Sequence, residues 1–146
     1  MPTRAQVAAG CPNRMRGMTL IELMVVVAIV AILSTLAVGS YRRYVLRANR
    51  TDATSALLRT QVAEEKFFLQ NNAYTTNVTT LGLASPTTNG FYTLVVAAGS
   101  TGNIATSFKA TATATGTQTQ DTSCQTLTID DQGLRNSAPS TTDCWR

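Results

Sequence analysis

The apolar and polar positions divide the chain into three patterns. Positions 18–39, MTLIELMVVVAIVAILSTLAVG, are apolar almost without exception and carry one charge, Glu22. A run of this length crosses a hydrocarbon core of about 30 Å as a helix. Positions 40–70 hold neither Pro nor Gly, and Ala53, Ala56, Leu57, Thr60, Ala63 and Phe67 recur at three- and four-residue spacing. That spacing is one face of a helix. Leu58, Val62 and Leu69 form a competing set that would widen the face. The helix is therefore expected to continue to about Gln70 and to stop at Asn71-Asn72. From Phe91 the period changes to two. Phe91–Ala97 reads as a strand. A second is Ser107–Thr115, with Ile104 as a candidate earlier start. Gln125–Ile129 is a third, and Leu134–Asn136 a short fourth. In the second, Phe108, Ala110, Ala112 and Ala114 share one face, opposite Lys109 and the threonines. Turns are expected at Gly99–Asn103 and Asp130–Gly133, and Ala73–Gly90 reads as a connector. The fold class is α+β: a long N-terminal helix packed on a C-terminal antiparallel sheet of three to four strands.

Charge and cysteine usage both set residues 1–17 apart. The formal charge of +4 comes largely from Arg4, Arg14 and Arg16. Without them nine basic residues face eight acids, too little for net charge to imply an acidic partner. Cys11 lies in the same segment. Cys124 and Cys144 lie near the C-terminus and can pair in an exported protein, at a value of about 3 kcal/mol for a loop of that length. Two free buried thiols are the alternative. The first residues, MPTRAQVAAGCPNRMRG, are basic and lack apolar periodicity, so they read as a leader. An ordinary secretory signal would be cut after the apolar run, and Ala37-Val38-Gly39 offers a poor version of such a site. A cut between Gly17 and Met18 would keep the run in the mature chain. Glu22 is then the anomaly. A carboxylate within a span costs about 2.5–3.5 kcal/mol on insertion scales and marks a functional position.

The segment Arg16-Gly17-Met18-Thr19-Leu20-Ile21-Glu22, with its basic leader and apolar sequel, resembles the signature of type IV pilins and pseudopilins. The resemblance implies cleavage by prepilin peptidase between Gly17 and Met18 and N-methylation of Met18. It places Glu22 on the acid that pairs during assembly with the N-terminal amine at Met18, of the same chain or of a neighbour already in a filament. It also implies three parts: a leader at 1–17, an apolar helix at 18–40 that is first transmembrane and then filament core, and a periplasmic then extracellular domain at 41–146. Where this family often has Pro, the chain has Gly39-Ser40, a weaker loosening of the helix at about 1 kcal/mol for Gly. The helix exit, Glu65-Lys66-Phe67-Phe68 followed by Gln70-Asn71-Asn72 and Tyr74-Thr75, is similar to that of PilE-like minor pilins. So is the tail from Cys124 to Cys144-Trp145, which the resemblance implies is disulfide-closed.

Function follows the same line. There is no His, no nucleophile–base pattern and no phosphate loop, so neither catalysis, nor a cofactor, nor a metal is expected. The resemblance implies a pilus subunit, more in the manner of a minor than a major pilin. Its partners would be other pilin subunits, prepilin peptidase, an inner-membrane assembly platform and the membrane itself. Such pili serve adhesion, twitching motility and DNA uptake. A type II secretion pseudopilin is one alternative, disfavoured by the C-terminal cysteines. A DNA receptor of a competence pilus is another, with only Lys109, Arg135 and Arg146 beyond the helix as its electrostatic footprint. A membrane-anchored protein outside any filament is a further one, and leaves Glu22 without a role. Arg42, Arg43, Arg47 and Arg50 form a basic cluster just past the span, suited to anionic headgroups or to acids of neighbouring subunits.

Overall fold

A computed structural model describes residues 17–145; the leader before Gly17 lies outside them. The chain forms two compact units, one ending at Val38 and one beginning at Gly39. A single helix, α1, runs from Leu20 to Asn71. Its start follows from Thr19, whose hydroxyl accepts the Glu22 N–H (3.3 Å) and whose carbonyl accepts the Leu23 N–H (3.1 Å). Its end follows from Asn72, whose φ of 53° is the left-handed conformation that closes many helices. The helix passes through Gly39-Ser40 without a break.

Four strands follow: β1 (Tyr92–Ala98), β2 (Phe108–Ala114), β3 (Cys124–Asp130) and β4 (Arg135–Pro139). They form an antiparallel meander in the order β1-β2-β3-β4. Each expected strand is present within two residues at its start, and β4 extends three residues past its expected end. Ile104 stays outside β2. A 3₁₀ turn at Gly116–Gln120 lies where no element was expected. The turn before β2 is close-packed. A Cβ at Gly99 would meet the Phe108 carbonyl at 2.7 Å, so only glycine fits.

One face of the sheet carries the core: Tyr92, Leu94 and Val96 from β1, Phe108 and Ala110, Ala112, Ala114 from β2, and Leu127 and Ile129 from β3. Register explains the alanines. Ala112 sits between Leu94 and Leu127, and Ala110 between Val96 and Ile129. Small residues in the inner strand between large ones let side chains interdigitate and admit Ala53 and Leu57 of α1. The expected helix face is correct at Ala53, Leu57 and Thr60, which are fully buried. The competing set is excluded: Leu58, Val62 and Leu69 are 38%, 70% and 84% exposed. Two acids that periodicity of apolar residues could not select, Asp52 and Glu64, complete the buried stripe.

Candidate assembly surface

The first unit is a helix without a protein environment. Every described residue from Gly17 to Val38 is exposed, and the large apolar side chains among them are 42–76% accessible. Its two hydroxyl residues beyond the first turn satisfy themselves on helix carbonyls: Ser34 Oγ donates to Val30 O and Thr35 Oγ1 to Ile32 O, each at 2.7 Å. Neither of these two hydroxyls needs an outside partner, as an apolar medium requires. Gly17 and Met18 precede the helix and are exposed. Glu22 is exposed in its first turn. Thr19 and Glu22 stand at the cap and third positions of a Thr-x-x-Glu capping pattern, where a carboxylate also complements the helix dipole. The pattern is legible in the sequence, and its Thr19 half is formed.

The second unit is framed by polar contacts at both ends of the buried stripe. At one end Arg50 grips Asp121 with two hydrogen bonds, 2.6 Å from Nε and 2.9 Å from Nη2. Its Nη1 donates to the Asp143 carbonyl at 3.2 Å. The bond to Asp121 holds the Arg50 guanidinium above its ordinary pKa. Gln118, on the unforeseen 3₁₀ turn, is fully buried. It donates to the Leu46 carbonyl (2.9 Å) and the Tyr92 hydroxyl (3.1 Å) and accepts from Asn49 (3.1 Å). Burial pushes the Tyr92 hydroxyl up to about 12, against the Gln118 hydrogen bond that lowers it. Arg42 donates to the Gln120 side chain. The arginine cluster therefore divides: Arg50 is a structural residue, while Arg43 and Arg47 remain exposed.

Further along the stripe, Thr87 Oγ1 and Asn89 Nδ2 donate to the Asp52 carboxylate. Thr87 also meets the Tyr92 backbone, which ties the connector to both helix and sheet. At the helix exit, Glu64 Oε2 accepts the Thr75 N–H at 3.1 Å. Burial raises the Glu64 carboxyl pKa. Tyr74 stacks on Phe68 (4.6 Å) and meets Phe108 edge-on (4.9 Å). The disulfide joins Cys124, at the start of β3, to Cys144, with both cysteines buried. Trp145 packs against the core, donates from Nε1 to Asn136 O at 2.9 Å, and lies under the Arg135 guanidinium.

This arrangement of an exposed apolar helix, a small meander and a stapled tail has counterparts. Residues 39–128 match the family described as type IV minor pilin ComP, DNA uptake sequence receptor, and residues 12–38 match the prokaryotic N-terminal methylation motif. The chain belongs to the type IV pilin family. It is 34% identical over 106 residues to fimbrial protein EcpC of Eikenella corrodens, covering 70% of this chain and 69% of that protein. It is 34% identical over 87 residues to the type IV major pilin PilA of Myxococcus xanthus, and 38% over 71 residues to the type IV major pilin PilE1 of Neisseria gonorrhoeae. The chain spans only 40% and 43% of the length of those two major pilins. A type IV pilin structure from Shewanella oneidensis superposes with a TM-score of 0.50 over 69% of this chain and 98% of that one. At 24% identity that likeness concerns the fold.

Pilins are structural subunits and not enzymes. As a pilin this protein is anchored in a membrane by its apolar helix and becomes part of an extracellular filament with other pilin subunits. The exposed apolar helix is then intelligible: the membrane supplies the environment the chain itself does not provide.

Proposed function

We propose that this pilin is a minor subunit of a type IV pilus. The observation that carries the reading is the match of residues 39–128 to a minor-pilin family. In this reading prepilin peptidase removes residues 1–17 and Met18 becomes the methylated N-terminus. Residues 18–40 serve as span and then as filament core, and residues 41–146 stay outside the cytoplasm. An inner-membrane platform moves the subunit into the pilus, and Glu22 pairs with the amine of a neighbouring subunit to set register. A buried pair of this kind contributes specificity more surely than stability. The pilus would support adhesion, twitching motility or DNA uptake.

Quantitative mass spectrometry of sheared surface filaments tests the assignment. The expected result is a peptide beginning at methylated Met18, present at a small fraction of the bulk pilin. A bulk ratio makes this the major subunit, and an N-terminus after Gly39 ends the reading. Glu22→Gln isolates the charge, because Gln also serves the capping pattern. The variant should insert in the membrane and fail to enter pili, whereas normal entry would discard the pairing.

A second reading, DNA binding, is favoured by the description of the matched family. The sheet itself gives it little electrostatic support. Lys109 faces Asp130 across the β2–β3 ladder, and Arg135 is stacked on Trp145. Pili carrying the subunit should retain double-stranded DNA in a salt-dependent manner if the reading holds; equal retention by pili from a deletion strain removes it.

A further inference from the structure

We propose that the second unit carries a site for the phosphate headgroup of an anionic phospholipid, formed by Arg43, Arg47 and the hydroxyls of Ser123 and Thr142. An open cavity of about 430 Å³ is lined by Arg47, Arg50, Ser123, Ser140, Thr142 and Asp143. A second, of about 160 Å³, shares Arg47, Arg50 and Ser123 with it and adds Arg43 and Thr122. The shared residues make the two cavities adjoining parts of one groove. Its chemistry is that of an anion site: guanidinium donors on the helix side and hydroxyl donors on the other, suited to phosphate oxygens.

The division of labour among the arginines makes the groove a built feature. Arg50 commits three of its five donors to both oxygens of Asp121 and to the Asp143 carbonyl, so it holds the wall in place. Arg43 and Arg47 are exposed and make no hydrogen bond or ion pair to a described residue. The acids on the groove are Asp121, engaged by Arg50, and Asp143.

Chain position selects a lipid as the source of the phosphate. Arg43 and Arg47 follow Gly39, the last residue of the apolar run, by four and eight residues. Between and before them stand Tyr41 and Tyr44, 71% and 70% exposed. Tyrosines and basic residues at the end of a span are the composition of a membrane–water interface. Basic residues next to a span attract anionic lipid. The site would hold the subunit in the bilayer until assembly, and entry into the filament would require giving up the headgroup. The inference rests on the membrane-anchored reading of the apolar helix and is independent of the minor-pilin assignment.

The full chain, purified in detergent, is titrated with phosphatidylglycerol and with phosphatidylcholine and followed by native mass spectrometry. Phosphatidylglycerol should be retained preferentially. Arg43→Gln and Arg47→Gln should each weaken retention about fivefold, near 1 kcal/mol per basic residue. Arg59→Gln, an exposed arginine on the same helix away from the groove, should not. Equal retention of both lipids, an unaffected double variant, or the same loss in Arg59→Gln would each overturn the site. So would displacement of the lipid by millimolar inorganic phosphate, which would make it a free-anion site, or by double-stranded DNA, which would make it a nucleic-acid contact. Near-UV circular dichroism of the double variant checks folding. Carbonate extraction of membranes tests the underlying reading separately, since a chain released into the soluble fraction would end that reading itself.

Discussion

The two halves of α1 share a backbone conformation and have opposite surroundings. In residues 20–38 no side chain is buried and apolar residues point in every direction. In residues 52–64 five side chains are buried, and apolar neighbours off the stripe, Leu58 and Val62, are left in solvent. A helix with one buried face is held by what it packs against. A helix apolar on all sides needs a surrounding medium of the same character, lipid or other helices. The absence of a face in the first half is thus as informative as its presence in the second. One half is written for a partner within the chain, and the other for partners outside it.

The largest expected effect lies in the second half's packing. Phe108→Ala removes a fully buried ring from the sheet and should cost about 3–5 kcal/mol, read as a large drop in the thermal midpoint by near-UV circular dichroism. Replacing Cys124 and Cys144 together by Ser should cost about 3 kcal/mol for a loop of that size, measurable as the shift between denaturant midpoints. Arg50→Met leaves the buried Asp121 carboxylate without its ion-pair partner and with only the Gln118 amide at 3.4 Å, for about 1.5–3 kcal/mol. Arg50→Met with Asp121→Leu should recover much of that loss, because no lone buried charge remains; a double variant no better than the single would show that packing, not charge, is at stake.

Glu64 sharpens the comparison through pH. Burial raises its folded-state pKa above the ordinary 4.5, Thr75 opposes and Glu65 adds. The folded state therefore holds the proton longer than the unfolded state. Stability from this group is full below the ordinary carboxylate range and falls as pH rises through the raised value. Glu64→Gln should match the parent at low pH and melt at a higher temperature at neutral pH. The smallest effect belongs to the first half. Val30→Ala, at an exposed apolar position, should leave the domain's unfolding free energy within about 0.5 kcal/mol of the parent, read from denaturant titration. A larger change would mean that the apolar segment contributes to the fold of the globular unit.

Much of this architecture was legible. The strict alternation of Phe108, Ala110, Ala112 and Ala114 located β2 and its buried face, because in a strand each side chain has only two directions to take. Asn71-Asn72 marked the helix end because Asn tolerates the left-handed conformation that Asn72 adopts. The Thr-x-x-Glu capping pattern at Thr19 and Glu22 was also available in the sequence. Gln118 and Asp121 were not legible. They sit in a polar stretch, GTQTQD, with no periodicity, and their burial depends on Leu46, Asn49 and Arg50, about seventy residues earlier. The same is true of Arg50. In the sequence it is one of four similar arginines, and only the position of Asp121 separates it from Arg43 and Arg47.

What the sequence determined by itself is whatever depends on local period and on composition: the apolar span, the length of the helix, the strands, and the basic cluster just past the span. These follow from side chains repeating at the helix or strand interval and from solvents that sort apolar from polar groups. What only the tertiary structure decided is which polar groups meet. The burial of Asp52 and Glu64, the Gln118 contacts, the Arg50–Asp121 pair and the groove beside Arg47 arise where distant segments converge. A buried polar group is stable only when a partner is brought to it, and that partner is chosen by the fold, not by neighbours along the chain.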